Sequence, residues 1–247
     1  MLTIASFKWK PITGGYDLPM LIDSYTDKHV RIHKAMLERN LTIPFRYVCV
    51  TDEPVDGIEC ITLWDKCRHL GGCYNRLYTF SKDMKQVLGE RFACIDLDVV
   101  ILKNCDHIFD RPEPFICNSY KPSPDNPNPR DQYCNGGMYM MDAGVHDDLW
   151  TTFENDFDKQ IDEIDKCRAD NICIGSDQEW IRIHLCGKKK IEKGHKPFPL
   201  WTNDDGVYEW NQVRRNGLQD NACMVMFAGA RDPSISRGDW VKEHWHE

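Results

Sequence analysis

Asp96 and Asp98 stand two residues apart inside the run FACIDLDVVILKN (92–104), which otherwise has the composition of a buried strand. A carboxylate buried without a partner is very costly, so this pair must be ion-paired, metal-bound or placed at the open end of its strand. Two hard oxygen ligands at this spacing, with room for waters and phosphate oxygens, suit Mg2+ or Mn2+ bridging to a diphosphate. Alternation along a strand puts Phe92, Cys94, Asp96, Asp98 and Val100 on one face and Ala93, Ile95, Leu97 and Val99 on the other. The acids therefore do not fall on a uniformly polar face. The triplet alone is a weak motif, because two aspartates facing solvent at a strand end would read the same way.

The elements that must position this pair follow from periodicity. LTIASF (2–7) opens the chain as a strand, and residues 17–39 carry Leu21, Tyr25, Ile32, Met36 and Leu37 at mostly helical spacings, stopping near RNLTIP. FRYVCVTDE (45–53) and IECITLW (58–64) read as strands two and three. NRLYTFSKDMKQVL (75–88) offers Leu77, Phe80, Met84 and Leu88 as a helix face ending at Gly89, and RFACIDLDVVIL (91–102) is the strand that carries the acids. This order predicts an α/β fold with a mostly parallel, doubly wound sheet. Ligands of such sheets bind beyond the carboxyl ends of the strands, which places Ser6–Lys10, Asp52, Asp96 and Asp98 on one rim.

The second half changes character at YKPSPDNPNPRDQ (120–132), where prolines, asparagines and charges predict a mobile loop able to close over a ligand. GMYMMDAG (137–144) then reads as a strand, and 146–166 and 176–186 as helices, with Asp147 or Asp148 and Ser176 as N-terminal caps. With no internal repeat and no sharp composition shift, one domain over 1–247 is the simplest expectation.

Bulk properties narrow the function classes. The chain has 247 residues, 41% of them hydrophobic, enough for a sizeable core, and no stretch approaches the length of a membrane span. No signal-like leader opens it, and the expected location is cytoplasmic. Its 12 cysteines include no CxxC pair and sit in apolar contexts, so they read as reduced, buried thiols rather than zinc ligands. A formal net charge of −8 disfavours general attraction to polyanions. The local exception is GKKKIEKGHK (187–196) with Arg214 and Arg215, a basic cluster that is either a solvated loop or a nucleic-acid contact.

Four segments together, YNRLYTFS, IDLDVVIL, CNGGMYMMDAG and GSDQEWI, resemble in order and spacing the glycosyltransferases of the GT-A fold, most of all short bacterial and phage enzymes related to family 8. Similarity extends weakly to DDGVYEW and FAGARDP, and so covers most of the chain. It implies a Rossmann-like, mostly parallel sheet flanked by helices, with residues 1–105 as the nucleotide-sugar half and 106–247 as an elaborated sugar and acceptor half. By the match, Asp96 and Asp98 of the Asp96-Leu97-Asp98 triplet hold Mn2+ or Mg2+ against the diphosphate of a donor such as UDP-glucose. Arg76 contacts the diphosphate or orients the triplet, or is an ordinary helix-surface arginine. Asn135, Gly136 and Gly137 line the sugar, or form a strand-entry turn. Asp177 and Gln178 stand near the anomeric carbon, or are first-turn residues with Asp177 complementing the helix dipole. Asp52 lies near the base, with Ala5 and Phe7, and Gly229 belongs to the C-terminal glycine motif.

One departure stands out. Relatives commonly carry a histidine near that glycine motif, where this chain has Met226, Phe227 and Ala228, and the usual lysine-proline after it is Asp232-Pro233. His244 and His246 are available substitutes. The implied activity is metal-dependent transfer of a sugar from a nucleoside diphosphate, with retention, to a hydroxyl of a saccharide, lipid, protein or hydroxymethylated DNA base. DNA would use Lys188, Lys189, Lys190, Arg214 and Arg215. Two rivals remain: a nucleotidyltransferase, which usually needs a glycine-rich loop after the first strand where only Gly14-Gly15 stand, and a non-catalytic nucleotide-sugar binding module.

Overall fold

The computed structural model describes residues 1–10, 25–67, 69–70, 72–118, 134–169, 176–187, 198–227 and 231–247. Strand β1 (Leu2–Lys8) is followed by helix α1 (Asp27–Asn40), where His29 Nδ1 reaches back over the first turn to accept the Thr26 N–H at 3.1 Å. The expected start of this helix at residue 17 lies outside the described residues. Val30, Ile32, Met36 and Leu37 form the face that α1 buries. Strands β2 (Phe45–Thr51) and β3 (Cys60–Thr62) come next, the latter shorter than the expected 58–64.

The segment expected as one helix over 75–88 is two pieces, a 3-10 turn at Tyr74–Phe80 and helix α2 (Met84–Leu88). Every residue of the 3-10 turn is buried. A tighter repeat is how Arg76 and Thr79 face the sheet together with Leu77 and Phe80, and Thr79 Oγ1 shares a 2.8 Å hydrogen bond with Tyr139.

The acid-bearing strand also divides, into β4 (Arg91–Ile95) and β5 (Val99–Ile101). Helix α3 (Asp106–Phe109), strand β6 (Phe115–Asn118) and strand β7 (Asn135–Asp142) follow. Residues 146–166 form two helices, α4 (Asp147–Glu154) and α5 (Phe157–Ala169), and α6 (Asp177–Cys186) follows. Neither Asp147 nor Asp148 caps α4; His146 holds the cap position. Ser176 holds that of α6, but its hydroxyl donates to Asp177 Oδ1 at 2.9 Å rather than to the helix backbone. The chain ends with β8 (Leu200–Trp201), β9 (Val207–Glu209), α7 (Trp210–Asn216), β10 (Met224–Met226) and α8 (Asp239–His244).

Two sheets result among the described residues: β3-β2-β1-β4-β7-β6-β8, and a smaller β5-β10-β9. In the large sheet β1, β2, β3 and β4 run parallel, β7 runs against β4 and β6, and β8 runs parallel to β6. The carboxyl ends of β1, β2, β4, β6 and β8 therefore share one rim with the amino end of β7.

One core cluster covers one face of the large sheet with Ile4, Ala93, Ile95 and Met140, and continues under α1 into the small sheet. The other cluster packs Ala5, Phe92, Cys94 and Tyr139 against α4, α5 and α6. Strict alternation from Phe92 to Val100 does not hold, since Val99 and Val100 both join the first cluster. The reason is the change of sheet. Asp96 N–H donates to Gly137 O at 2.8 Å, and Asp98 O accepts the Phe227 N–H at 2.8 Å. The first bond ends the large sheet and the second begins the small one, so the triplet is the crossing between them. No described helix is long and apolar enough to cross a membrane.

Candidate active site at the junction of the two sheets

Arg76 is the organising cation. Its guanidinium pairs with Asp96 through Nη1 and with Asp177 through Nη2, the latter at 2.8 Å, with side chains 8%, 28% and 0% exposed respectively. Burial works against the arginine's charge, but Asp177 and Asp96 outweigh it and hold its pKa well above the ordinary value. A planar fork reaching two carboxylates is a task that lysine's point charge does not match. Arg76 Nε and Asp177 Oδ2 are nevertheless buried without a hydrogen bond; the Asp177 contact is an ion pair at poor hydrogen-bonding angle.

Two glycines let the acids converge. A Cβ on Gly137 would stand 2.9 Å from Asp96 Oδ2 and 3.1 Å from Asn135 Oδ1, and one on Gly136 would meet Gln178 Cβ at 3.0 Å and Asp177 Oδ2 at 3.1 Å. Gln178 Oε1 accepts the Gly136 N–H at 3.3 Å. The glycines thus serve close approach rather than an unusual φ, and the irregular start of β7 that they form brings the end of β4 and the start of α6 to one point.

The acids repel. Burial raises the Asp96 carboxyl against the pull of Arg76, and burial, then Asp96, raise Asp98 well above the usual range, although the Tyr25 hydroxyl donates to Asp98. Glu209 adds a further carboxyl, pushed up to about 7 by burial and drawn down by Asn135, Arg231 and Asn118. Asp96, Asp98 and Asp177 gather near Arg76, with Glu209 on the far side of Asp98, and a divalent cation would relieve the repulsion among them. Asp96 and Asp98 offer oxygens of the kind Mn2+ or Mg2+ takes, and as two protein ligands they fit such an ion with water or phosphate oxygens completing its sphere. Among the described residues no group of three His, Cys, Asp or Glu could hold a metal ion.

The structure therefore brings Arg76, Asp96, Leu97, Asp98, Asn135, Gly136, Gly137, Asp177 and Gln178 together. Ala5 and Phe7 sit beneath the rim in the core. Asp52 lies farther along the rim, where its Oδ2 accepts the Lys10 N–H at 2.9 Å, and with Lys8, Trp9, Lys10 and Tyr25 it lines a cleft of about 710 Å³. Gly229, the loop 120–132 and Lys188–Lys190 lie outside the described residues. Arg214 and Arg215 are exposed at the end of α7. His246 bonds its neighbour Glu247, and the backbone oxygen of His244 takes Arg39. Neither histidine contacts the acids.

Sequence reasoning missed Tyr25, Glu209 and Met226. No acidic spacing marks Glu209, though its E-x-x-Q spacing to Gln212 is a helix-start signal. Met226 points its methyl to within 3.4 Å of the position of a Gly137 Cβ, and it is this side chain of β10 that faces the acids. Phe227 turns away and stacks on Trp210 at 4.8 Å.

Solved structures share this architecture. The chain aligns with the galactosyltransferase LgtC in complex with donor and acceptor sugar analogues at a TM-score of 0.57 and 10% identity, over 94% of this chain and 88% of that one. The fold is GT-A. An active-site mutant of LgtC matches this GT-A chain equally well, at 0.57 and 10% identity over 98% and 93%. The glycosyltransferase GlyE of Streptococcus pneumoniae TIGR4 matches at 0.59 and 10% identity, over 99% of this chain and 60% of its own length. No protein-family model and no curated protein matches the sequence. Within the GT-A frame, Asp96 and Asp98 occupy the crossing from large to small sheet and Asp177-Gln178 the first turn of α6.

Proposed function

We propose that the chain is a glycosyltransferase that moves a sugar from a nucleoside diphosphate sugar, a UDP-sugar such as UDP-glucose, to an acceptor hydroxyl with retention of configuration. The observation that carries this reading is the Arg76 fork between Asp96 and Asp177 against Gly136 and Gly137 at the start of β7, set at the strand-end rim of a GT-A fold. Asp96 and Asp98 would hold Mn2+ or Mg2+, whose chemistry is to neutralise charge on the departing diphosphate. Arg76 orients Asp96 and pulls its carboxyl down against the burial that raises it. Gln178, half-buried and held by the Gly136 N–H, would put an amide where positive charge grows on the donor sugar, and Asp177, buried directly behind it against Arg76, would add the negative field there. The cleft beside Asp52 and Lys10 takes the nucleoside, in keeping with the rule that ligands of open α/β sheets bind beyond the strand ends.

The test is release of nucleotide from UDP-, GDP- and TDP-sugars with Mn2+ or Mg2+, with Asp98→Asn beside the wild type. Metal-dependent release of one nucleotide, lost in the variant, is the expected result. Release that is unchanged in Asp98→Asn would remove the metal assignment. Turnover of a nucleoside triphosphate with a sugar 1-phosphate would make the protein a nucleotidyltransferase, and donor binding without release would make it a binding module.

A further inference from the structure

Glu209 belongs to the small sheet, yet its carboxylate reaches the large one. Its Oε1 accepts Asn135 Nδ2 at 2.8 Å, at the start of β7, and Asn118 Nδ2 at 3.5 Å, at the end of β6. On its own strand end it is fixed by a reciprocal cap, with its side chain accepting the Gln212 backbone N–H and its backbone N–H donating to Gln212 Oε1 at 3.1 Å. The other end of the Asn135 amide is held as well, since its Oδ1 accepts the Gly137 N–H at 2.9 Å. A continuous path therefore runs from the cap of α7 through Glu209 and Asn135 to Gly137, against which Asp96 Oδ2 packs.

We infer that Glu209 is a positioning residue of the donor site. By holding the Asn135 amide it fixes the irregular Asn135–Gly137 start of β7, where Asp96 and Asp177 each pack against a glycine. This rests on the glycosyl-transfer reading, and it assigns to the small sheet a part in shaping the sugar pocket. An alternative role, support of the β9–α7 corner alone, would need the cap to Gln212 and not the reach across to β7.

Three measurements separate these roles. In the metal-supplemented donor assay, Glu209→Ala lowers turnover roughly 10- to 100-fold, the range seen when a group orienting a first-contact residue is removed. Glu209→Gln, which keeps an oxygen for the Asn135 N–H, recovers most of it. Asn135→Ala gives a similar loss, and the double variant is no worse than either single one, as for residues acting as a unit. Independently of any donor, the Asn135 side-chain amide is protected from hydrogen exchange in the wild type and in Glu209→Gln and becomes unprotected in Glu209→Ala. Losses that multiply in the double variant, turnover within twofold of wild type in Glu209→Ala, or an amide that stays protected there would each overturn the inference. A wild type that turns over no donor defeats the glycosyl-transfer reading instead, and the exchange measurement still decides the role of Glu209.

Discussion

Replacing Arg76 with methionine keeps most of the side chain's volume and removes the cation that pairs Asp96 and Asp177. Asp177 is fully buried, so the variant leaves its carboxyl without the cation that now compensates it. Breaking a buried pair from one side costs about 3–5 kcal/mol, which is a large share of the roughly 5–15 kcal/mol that holds an ordinary domain together. Urea unfolding followed by tryptophan fluorescence at pH 7 reads that cost, and we expect a deficit of about 3–5 kcal/mol relative to wild type. Arg76→Lys should fall between, since an ammonium restores charge but not the two-armed geometry. A deficit under about 1 kcal/mol at pH 7 would give Arg76 no more weight than an ordinary surface arginine and refute the reasoning.

Gly137→Ala sets a methyl 2.9 Å from Asp96 Oδ2, and overpacking of this kind costs about 1–3 kcal/mol; Mn2+ titration should show weakened binding, and wild-type affinity would mean that Asp96 gives way freely. Met226→His puts an imidazole where a soft thioether now faces the acids, and Mn2+ should bind at least tenfold tighter by calorimetry, whereas unchanged affinity would show that position 226 does not reach the ion. His33 is lowered to about 3 by burial, so its unfolded state alone takes a proton between pH 6.5 and 3, and stability is lost as pH falls through that window. Between pH 6.5 and 5 the loss is about 1.6 kcal/mol, and His33→Leu should lose less stability by that amount over the same range; equal losses would mean that His33 protonates as readily in the folded protein as in the unfolded chain.

Much of the large sheet was legible because its strands are apolar runs closed by turn residues, and LTIASF and FRYVCV leave little alternative. The site was legible where chemistry and chain proximity coincide, as in Asp96-Leu97-Asp98, Asn135-Gly136-Gly137 and Asp177-Gln178. What the sequence concealed is tertiary. Nothing local in RFACIDLDVVIL says that one half pairs with β1 and β7 and the other with β10, because both halves are apolar and compatible with a buried strand. The break is decided by partners more than 120 residues later, Met224–Met226. Glu209 was invisible for the same reason. Its neighbours Asn118 and Asn135 belong to another sheet, and an acid before Trp210 reads as a helix start. Tyr74–Phe80 misled because helical spacing does not distinguish three residues per turn from 3.6 over so short a span.

The crowding of carboxyls at the sheet junction has a consequence for stability that separates a metal site from a structural network. Asp98 has a folded-state pKa raised well above its unfolded value, so its contribution is lost as pH rises, and at neutral pH it destabilises the cation-free fold. Asp98→Asn removes that repulsion while keeping an oxygen for the Tyr25 hydroxyl. If Asp98 serves a cation, the variant should melt above the wild type in chelator and gain nothing from Mn2+. Wild type, by contrast, should gain about 2.7 kcal/mol at a Mn2+ concentration one hundred times its Kd. A purely structural carboxylate gives the opposite pattern, in which Asp98→Asn is the less stable protein under every condition and Mn2+ shifts neither melting curve. Thermal unfolding of both proteins at pH 7.5, with chelator and with excess Mn2+, decides between the two without any donor, acceptor or turnover.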